Sequence, residues 1–154
     1  MPTDFPLYER MPHYYETDKM GIVHHSNYIR WFEESRIHFL EKAGYPYEKM
    51  EENGVMIPVL SAACEYKNAT RFGEAVYIVP KIEEFNGFKF RITYRVVGKL
   101  TGELKATGET RHFFTDMQLK PVRTKKSYPE IFRTFDDYVN VDFLEGKEFE
   151  KEQG

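Results

Sequence analysis

The sequence predicts an α+β fold in which an antiparallel sheet wraps around one long central helix. Three observations carry that expectation. Residues 27–43 repeat apolar and aromatic side chains at helical spacing, on a surface that leaves little for solvent. Residues 88–96 alternate with the two-residue period of a strand. Short turns containing Gly and Asn separate the segments after the helix, as antiparallel neighbours require.

Taken in order, residues 7–15 read as a first strand, interrupted by Pro12. Glu16–Ser26 reads as a loop. Ser26 or Asn27 can cap the following helix by accepting an unpaired N–H of its first turn. Tyr28, Phe32, Ser35, Phe39 and Ala43 recur at helical spacing, and Ile29, Trp31 and Leu40 widen the apolar surface. Arg30 and Glu34 stand four residues apart and can pair. Gly44 is a natural C-terminal stop. Tyr47–Asn53 is polar, a short helix or turn.

Residues 55–67 read as a strand, and 74–84 as a second whose Pro80 implies an edge or a bulge. Asn86-Gly87 signals a hairpin because both residues tolerate positive φ. In the next strand Phe88, Phe90, Ile92, Tyr94 and Val96 face the core, and Lys89, Arg91, Thr93 and Arg95 face solvent or another subunit. A turn from Gly98 to Gly102 leads into a long strand over 103–115. The four successive strands are expected to form a meander. The stretch from Lys120 is basic and broken by Pro121, Ser127–Tyr138 reads as a short amphipathic helix, and the last residues, 145–154, as charged and frayed. The expectation is one domain over 1–154, with a core of about 8–123 and an extension over 124–154.

Apolar residues make up 41% of the 154 and aromatics 16%, ample for a packed core. The formal charge of −3 argues against a broad nucleic-acid footprint. Cys64 is the only cysteine, so neither an intrachain disulfide nor a cysteine-based metal site is expected. The N-terminus lacks the apolar region of a signal peptide, and no apolar run approaches the roughly 18 residues that span a membrane. The expectation is a soluble cytoplasmic protein.

The stretch Tyr14–Arg36 carries the chemistry. It sets Asp18 just before a Gly-containing turn and the start of the aromatic helix. A helix N-terminus offers backbone N–H groups and a positive dipole to a developing oxyanion. A lone Asp before a Gly turn is otherwise a turn former. His24 and His25, with His13 and Asp18, invite a metal reading. Adjacent histidines rarely point at one ion, and no HxH or HExxH spacing is present, so no metal is expected.

The residues Tyr15, Asp18, Gly21, Val23, His25, Asn27, Tyr28, Trp31, Phe32, Glu33 and Arg36 resemble the signature of the 4-hydroxybenzoyl-CoA thioesterase family, of hot-dog fold. They are similar to its acyl-CoA thioesterase branch associated with the Tol-Pal gene cluster of bacteria. The resemblance covers roughly residues 8–123 and is weaker over Val59–Tyr66, Arg71-Phe72-Gly73 and His112-Phe113-Phe114. The sequence departs from the family at Glu16, Asn68 and Glu74, where Asp, Pro and Asp are frequent; these positions are expected to shape the acyl or CoA channel.

The resemblance implies hydrolysis of an acyl-CoA thioester without a metal or redox cofactor. Asp18 acts in it as nucleophile or as general base on water. The N–H of His25 polarises the thioester carbonyl. Tyr15, Gly21, Val23, His24, Asn27 and Tyr28 line the substrate site. Arg71 and Arg123, with Lys120, Lys125 and Lys126, are candidates for holding the CoA phosphates; as a solvated surface run they would do nothing. Glu33 matches a helix-borne carboxylate of a related branch, but with Asp18 present it is expected to anchor the helix through Arg30 or Arg36. The resemblance also implies a homodimer or homotetramer with sites at the interface. The alternative is a non-catalytic acyl-CoA-binding module. A hot-dog dehydratase is a third reading, disfavoured by its different motif.

Overall fold

The structure is a computed structural model that describes residues 5–149. A five-stranded antiparallel sheet forms the body: β1 (Tyr8–Arg10), β2 (Val59–Tyr66), β3 (Val76–Phe85), β4 (Lys89–Gly98) and β5 (Leu104–Phe113). Its order is β1-β3-β4-β5-β2. Helix α1 (Asn27–Lys42) packs on it, and α2 (Tyr47–Glu52), α3 (Thr124–Ser127) and α4 (Pro129–Asp136) are shorter.

The expected four-strand meander is therefore corrected. β3, β4 and β5 are a meander, but β2 pairs with β5 at the far edge. Residues 67–75 carry the chain from that edge to β3. The first strand is also shorter than expected: after β1 the chain turns into a single 3-10 turn at Tyr14–Glu16. Pro80 sits in a strand with neighbours on both sides, yet β1 covers only Val76–Ile78. The missing N–H of Pro80 thus falls on an uncovered stretch, as proline requires. At the hairpin only Gly87 takes positive φ (90°). Asn86 instead accepts the N–H groups of Phe88 and Lys89 on its side-chain oxygen. Phe88 lies before β4 and is half-buried, stacked edge-on to Phe113, so it does not join the core row of Phe90, Ile92, Tyr94 and Val96.

The α1 face that meets the sheet is Tyr28, Trp31, Phe32, Ser35, Phe39 and Leu40, all buried. Phe32 stacks on Tyr94 of β4 at 4.3 Å between centroids. It approaches β5 so closely that a Cβ on Gly108 would lie 2.2 Å from its ring. Neither Ser26 nor Asn27 caps α1 as expected. Ser26 Oγ bonds the His24 ring, and Asn27 Nδ2 donates to the carbonyls of Glu16 and His24. Glu34 pairs with Arg10 of β1 rather than with Arg30.

The C-terminal segment packs as part of the core. Ile131 and Phe135 of α4 and the downstream Phe143 are buried with Phe39, Phe85, Phe90 and Phe114. Val139 forms a parallel bridge to Ile82, and Phe149 lies against Gly102. Of the last residues, expected to fray, 145–148 are exposed and outside any helix or strand; positions 150–154 lie outside the described residues.

Candidate active site

Asp18 sits in a small hairpin stitched by the Thr17–Val23 bridge and by Asp18 N–H donating to Ile22 O at 2.9 Å. Gly21, with φ 75°, closes the turn by donating its N–H to Asp18 O at 3.0 Å. The left-handed backbone there is what glycine supplies. One oxygen of the Asp18 carboxylate accepts the Met20 N–H at 2.8 Å. Among the described residues its other oxygen has no partner.

The hairpin is fastened from two sides. The crossover before β3 holds its return limb: Val23 N–H donates to Thr70 O at 2.8 Å, Ile22 bridges Arg71, and Phe72 N–H donates to Gly21 O. Underneath stands Glu16. Its carboxylate accepts both terminal nitrogens of Arg10 at 2.9 Å each, Trp31 Nε1 at 3.0 Å and His13 N at 2.7 Å. Burial would raise this carboxyl, but the His13 N–H, Trp31 and Arg10 outweigh it and hold it below the usual range. Glu16 is thus a buried strut under the hairpin, not a channel residue.

Asn68 and Glu74, by contrast, line a cavity of about 790 Å³ together with Arg71. Asn68 donates to Leu104 O, and Glu74 pairs with the buried Lys105 and accepts the Arg71 N–H.

At the start of α1 the N–H of His24 goes to Glu16 O and those of Asn27 and Tyr28 go back to His24 O and His25 O. Among the described residues the N–H of His25 finds no acceptor. Its carbonyl accepts the Tyr66 hydroxyl at 3.1 Å. An unpaired N–H at a helix start can donate to a developing oxyanion.

Asp18 stands opposite Ile22, three residues before His25 on the return limb, about 10 Å at strand rise. The contact that orients the carboxylate is the Met20 N–H of its own turn. Catalytic contacts often close only with substrate bound.

The other candidates divide. Val23 and Tyr28 are buried. The Tyr28 hydroxyl is spent on Thr70 Oγ1 at 3.0 Å. Asn27 ties the loop limbs together. Tyr15 is exposed with its hydroxyl on His13 Nδ1, and His24 is exposed on Ser26. Arg71 lies beside the Asp18 hairpin. Arg123 does not: it packs over Phe88 at the β3–β4 hairpin, the other end of a ten-residue strand, about 30 Å away in the same chain. Glu33 makes no ion pair with Arg30 or Arg36 among the described residues and stands instead at the rim of a cavity. No group of three or more His, Cys, Asp or Glu side chains gathers as metal ligands do among the described residues. No described helix is long and apolar enough to cross a membrane.

Sequence reasoning passed over two clusters. Arg10 joins Glu16, Glu34 and Trp31; its only local signal was an arginine inside a predicted strand. The second is a buried chain behind α1: Arg36 to the Tyr94 hydroxyl (3.0 Å), Tyr94 to Thr110 (2.6 Å), Thr110 to His112 Nε2 (2.7 Å). The buried Nδ1 of His112 has no hydrogen-bond partner among the described residues.

Similarity to known proteins bears on what this site does. Residues 12–135 match the thioesterase-like superfamily. The chain is 41% identical over 106 residues to an Aquifex aeolicus protein provisionally assigned as an esterase, covering 69% of this chain and 81% of the relative. It is 36% identical over 118 residues to the Bacillus subtilis protein YneP, provisionally assigned as an acyl-CoA thioesterase, covering 76% and 85%. The DHNA-CoA thioesterase structure from Staphylococcus aureus superposes with a TM-score of 0.80 at 30% identity, covering 94% of this chain and 97% of that one. With a five-stranded antiparallel sheet, a helix laid on it and a match over most of its length, the chain belongs to the thioesterase-like superfamily and is a hot-dog thioester hydrolase.

Proposed function

We propose that the chain is an acyl-CoA thioesterase, releasing a free acid and CoA, and that Asp18 and the His25 N–H are its reacting pair. The unpaired N–H of His25 at the start of α1 is the observation that carries this reading. The thioester carbonyl oxygen would accept that N–H, and negative charge would build on it in the transition state. Asp18, with one oxygen pinned by Met20 and the other free, would take a proton from the attacking water. Alternatively it would attack the carbonyl carbon itself and form a mixed anhydride that water then opens. In both routes the C–S bond breaks and CoA leaves as a thiolate that is then protonated. No metal or redox cofactor enters either route.

The finer placement, in the 4-hydroxybenzoyl-CoA thioesterase family and its Tol-Pal-associated branch, belongs to the same proposal and rests on the residues of the Asp18 loop. So does a cytoplasmic setting, where CoA thioesters are substrates. Arg71, beside the hairpin, is the basic residue best placed within one chain for the CoA phosphates.

A dimer built on β2 is also proposed. Seven of the eight β2 residues are exposed, and its outer edge is bare. A long bare edge of this kind is normally covered. Two copies pairing their β2 edges antiparallel about a two-fold axis would cover both.

Asp18→Asn tests the reaction. It should lower kcat for acyl-CoA by about 10²–10⁴ while leaving unfolding and CoA binding unchanged. Near-full activity in that variant would overturn the assignment. A single turnover in heavy-oxygen water separates the two routes, since label in the Asp18 carboxylate marks it as the nucleophile. Binding without hydrolysis across a panel of acyl-CoAs would favour the alternative, a non-catalytic acyl-CoA-binding module.

A further inference from the structure

The two halves of the candidate site come from different segments: Asp18 from the hairpin, the free N–H of His25 from the start of α1. One side chain ties them together. The Asn27 amide donates to Glu16 O at 2.9 Å and to His24 O at 3.1 Å. Glu16 O also accepts the His24 N–H at 2.8 Å, and His24 O accepts the Asn27 N–H at 3.0 Å. Among the described residues the Asn27 side-chain oxygen accepts no N–H of the first helical turn, so this side chain does not serve as a cap.

The identity of the two carbonyls gives the amide its task. Glu16 stands two residues before Asp18 and is itself anchored by Arg10 and Trp31, so its carbonyl is a fixed point. His24 O belongs to the peptide unit whose N–H is that of His25. A peptide is planar, so fixing its carbonyl fixes the direction of its N–H. A donor on the carbonyl also polarises the unit and strengthens that N–H as a donor. A side-chain amide carries two N–H groups, one for each carbonyl, and no other side chain of that length carries two.

Resting on the thioesterase reading above, we infer that Asn27 is a positioning residue of the reaction. Its amide clamps the peptide between His24 and His25 to Glu16 O, so that the His25 N–H meets the thioester carbonyl at a set distance from Asp18. Asn27 touches no reacting atom, a different task from lining the substrate site.

Asn27→Asp is the discriminating variant. It keeps the side-chain shape, and a carboxylate is favourable in the first turn of a helix, so the unfolding midpoint should stay close to that of the wild type. It replaces both donors with oxygens that repel the two carbonyls. Asn27→Ala removes the donors without adding charge and stands in if the carboxylate disturbs the loop. Three measurements follow. First, kcat and KM are taken for acetyl-, benzoyl- and octanoyl-CoA. In both variants kcat should fall about 10–10²-fold with KM little changed. Near-full turnover, or a raised KM at unchanged kcat, overturns the inference. Second, S-acetonyl-CoA, whose extra methylene between sulfur and carbonyl prevents hydrolysis, is bound and its ketone stretch followed in the infrared. The wild type should lower that frequency and the variants should lower it less; equal shifts overturn the inference. Third, the His25 amide nitrogen is followed in the free protein. It should move upfield in Asn27→Ala, because a donor on His24 O deshields it, and an unmoved resonance overturns the clamp. A wild-type protein that hydrolyses none of the three thioesters sinks the thioesterase reading, while the His25 resonance still decides whether Asn27 holds the peptide.

Discussion

Glu16 shows how one side chain can resemble a site residue and do structural work. It stands two residues from Asp18 and differs from the family's usual Asp by one methylene. That length lets it reach Arg10, Trp31 and the His13 N–H at once. Glu16→Gln leaves the Arg10 charge buried with a poorer partner, and loss of one member of a buried pair costs about 3–5 kcal/mol. Urea unfolding should show a loss approaching that range, with activity falling only as far as the hairpin loosens.

His112 gives a pH prediction with a defined sign. Burial, with the nearby Arg36 charge adding to it, lowers its pKa from the ordinary 6.5 to about 3. The unfolded chain therefore takes up a proton below about 6.5 that the folded chain refuses until about 3. Stability should fall with acidification across that window, by at most about 1.4 kcal/mol per pH unit from this one group. Glu16, whose pKa is depressed in the fold, adds its own loss only below the ordinary carboxylate range, at the acid end. His112→Gln should flatten the upper part of the curve, from pH 6.5 down toward the carboxylate range, in unfolding measurements at several pH values. An unchanged slope there would show that His112 is not the group responsible.

Among elements, the contact of α1 with β5 is the tightest constraint. Gly108 is extended rather than left-handed, so its reason is space: Phe32 occupies the volume a side chain would need. The Phe32 ring is itself held by its stack on Tyr94. Gly108→Ala should destabilise by about 1–3 kcal/mol or more, because overpacking there must push α1 off the sheet. Thermal unfolding measures it, and Phe32→Leu in the same chain should recover part of the loss by making room. The crossover from β2 to β3 matters for a different reason. By passing the end of the sheet it brings Thr70 and Arg71 to the Asp18 hairpin, a contact no simple meander would make.

At the scale of the whole molecule, the C-terminal segment decides stability. Ile131, Phe135 and Phe143 are buried, and each such side chain contributes about 1.5–3 kcal/mol. Their sum is comparable to the total stability of an ordinary domain, about 5–15 kcal/mol. A chain ending at Arg123 should therefore lose its cooperative thermal transition and gain fast hydrogen exchange in α1 and β4. A sharp transition near that of the full chain would show that the sheet and α1 hold without it.

Much of this was legible in the sequence, because it depends on neighbours along the chain. The 3.6-residue recurrence from Tyr28 to Ala43 set α1, and the strict alternation from Phe90 to Val96 set β4. The Asp18–Gly21 turn follows from the backbone freedom of one glycine and the short side chain of one aspartate. What depends on partners far apart was decided only in three dimensions. The placement of β2 beside β5 rather than β3 is a choice among edges, and local periodicity does not encode edges. Glu34 chose Arg10 over Arg30 because a strand brought a closer cation. Arg123 fell at the opposite end of the sheet from Arg71, although both were equally basic on paper. The free N–H of His25 and the cavity beneath α1 are shapes left between elements. Each arises from packing, which only the folded chain specifies.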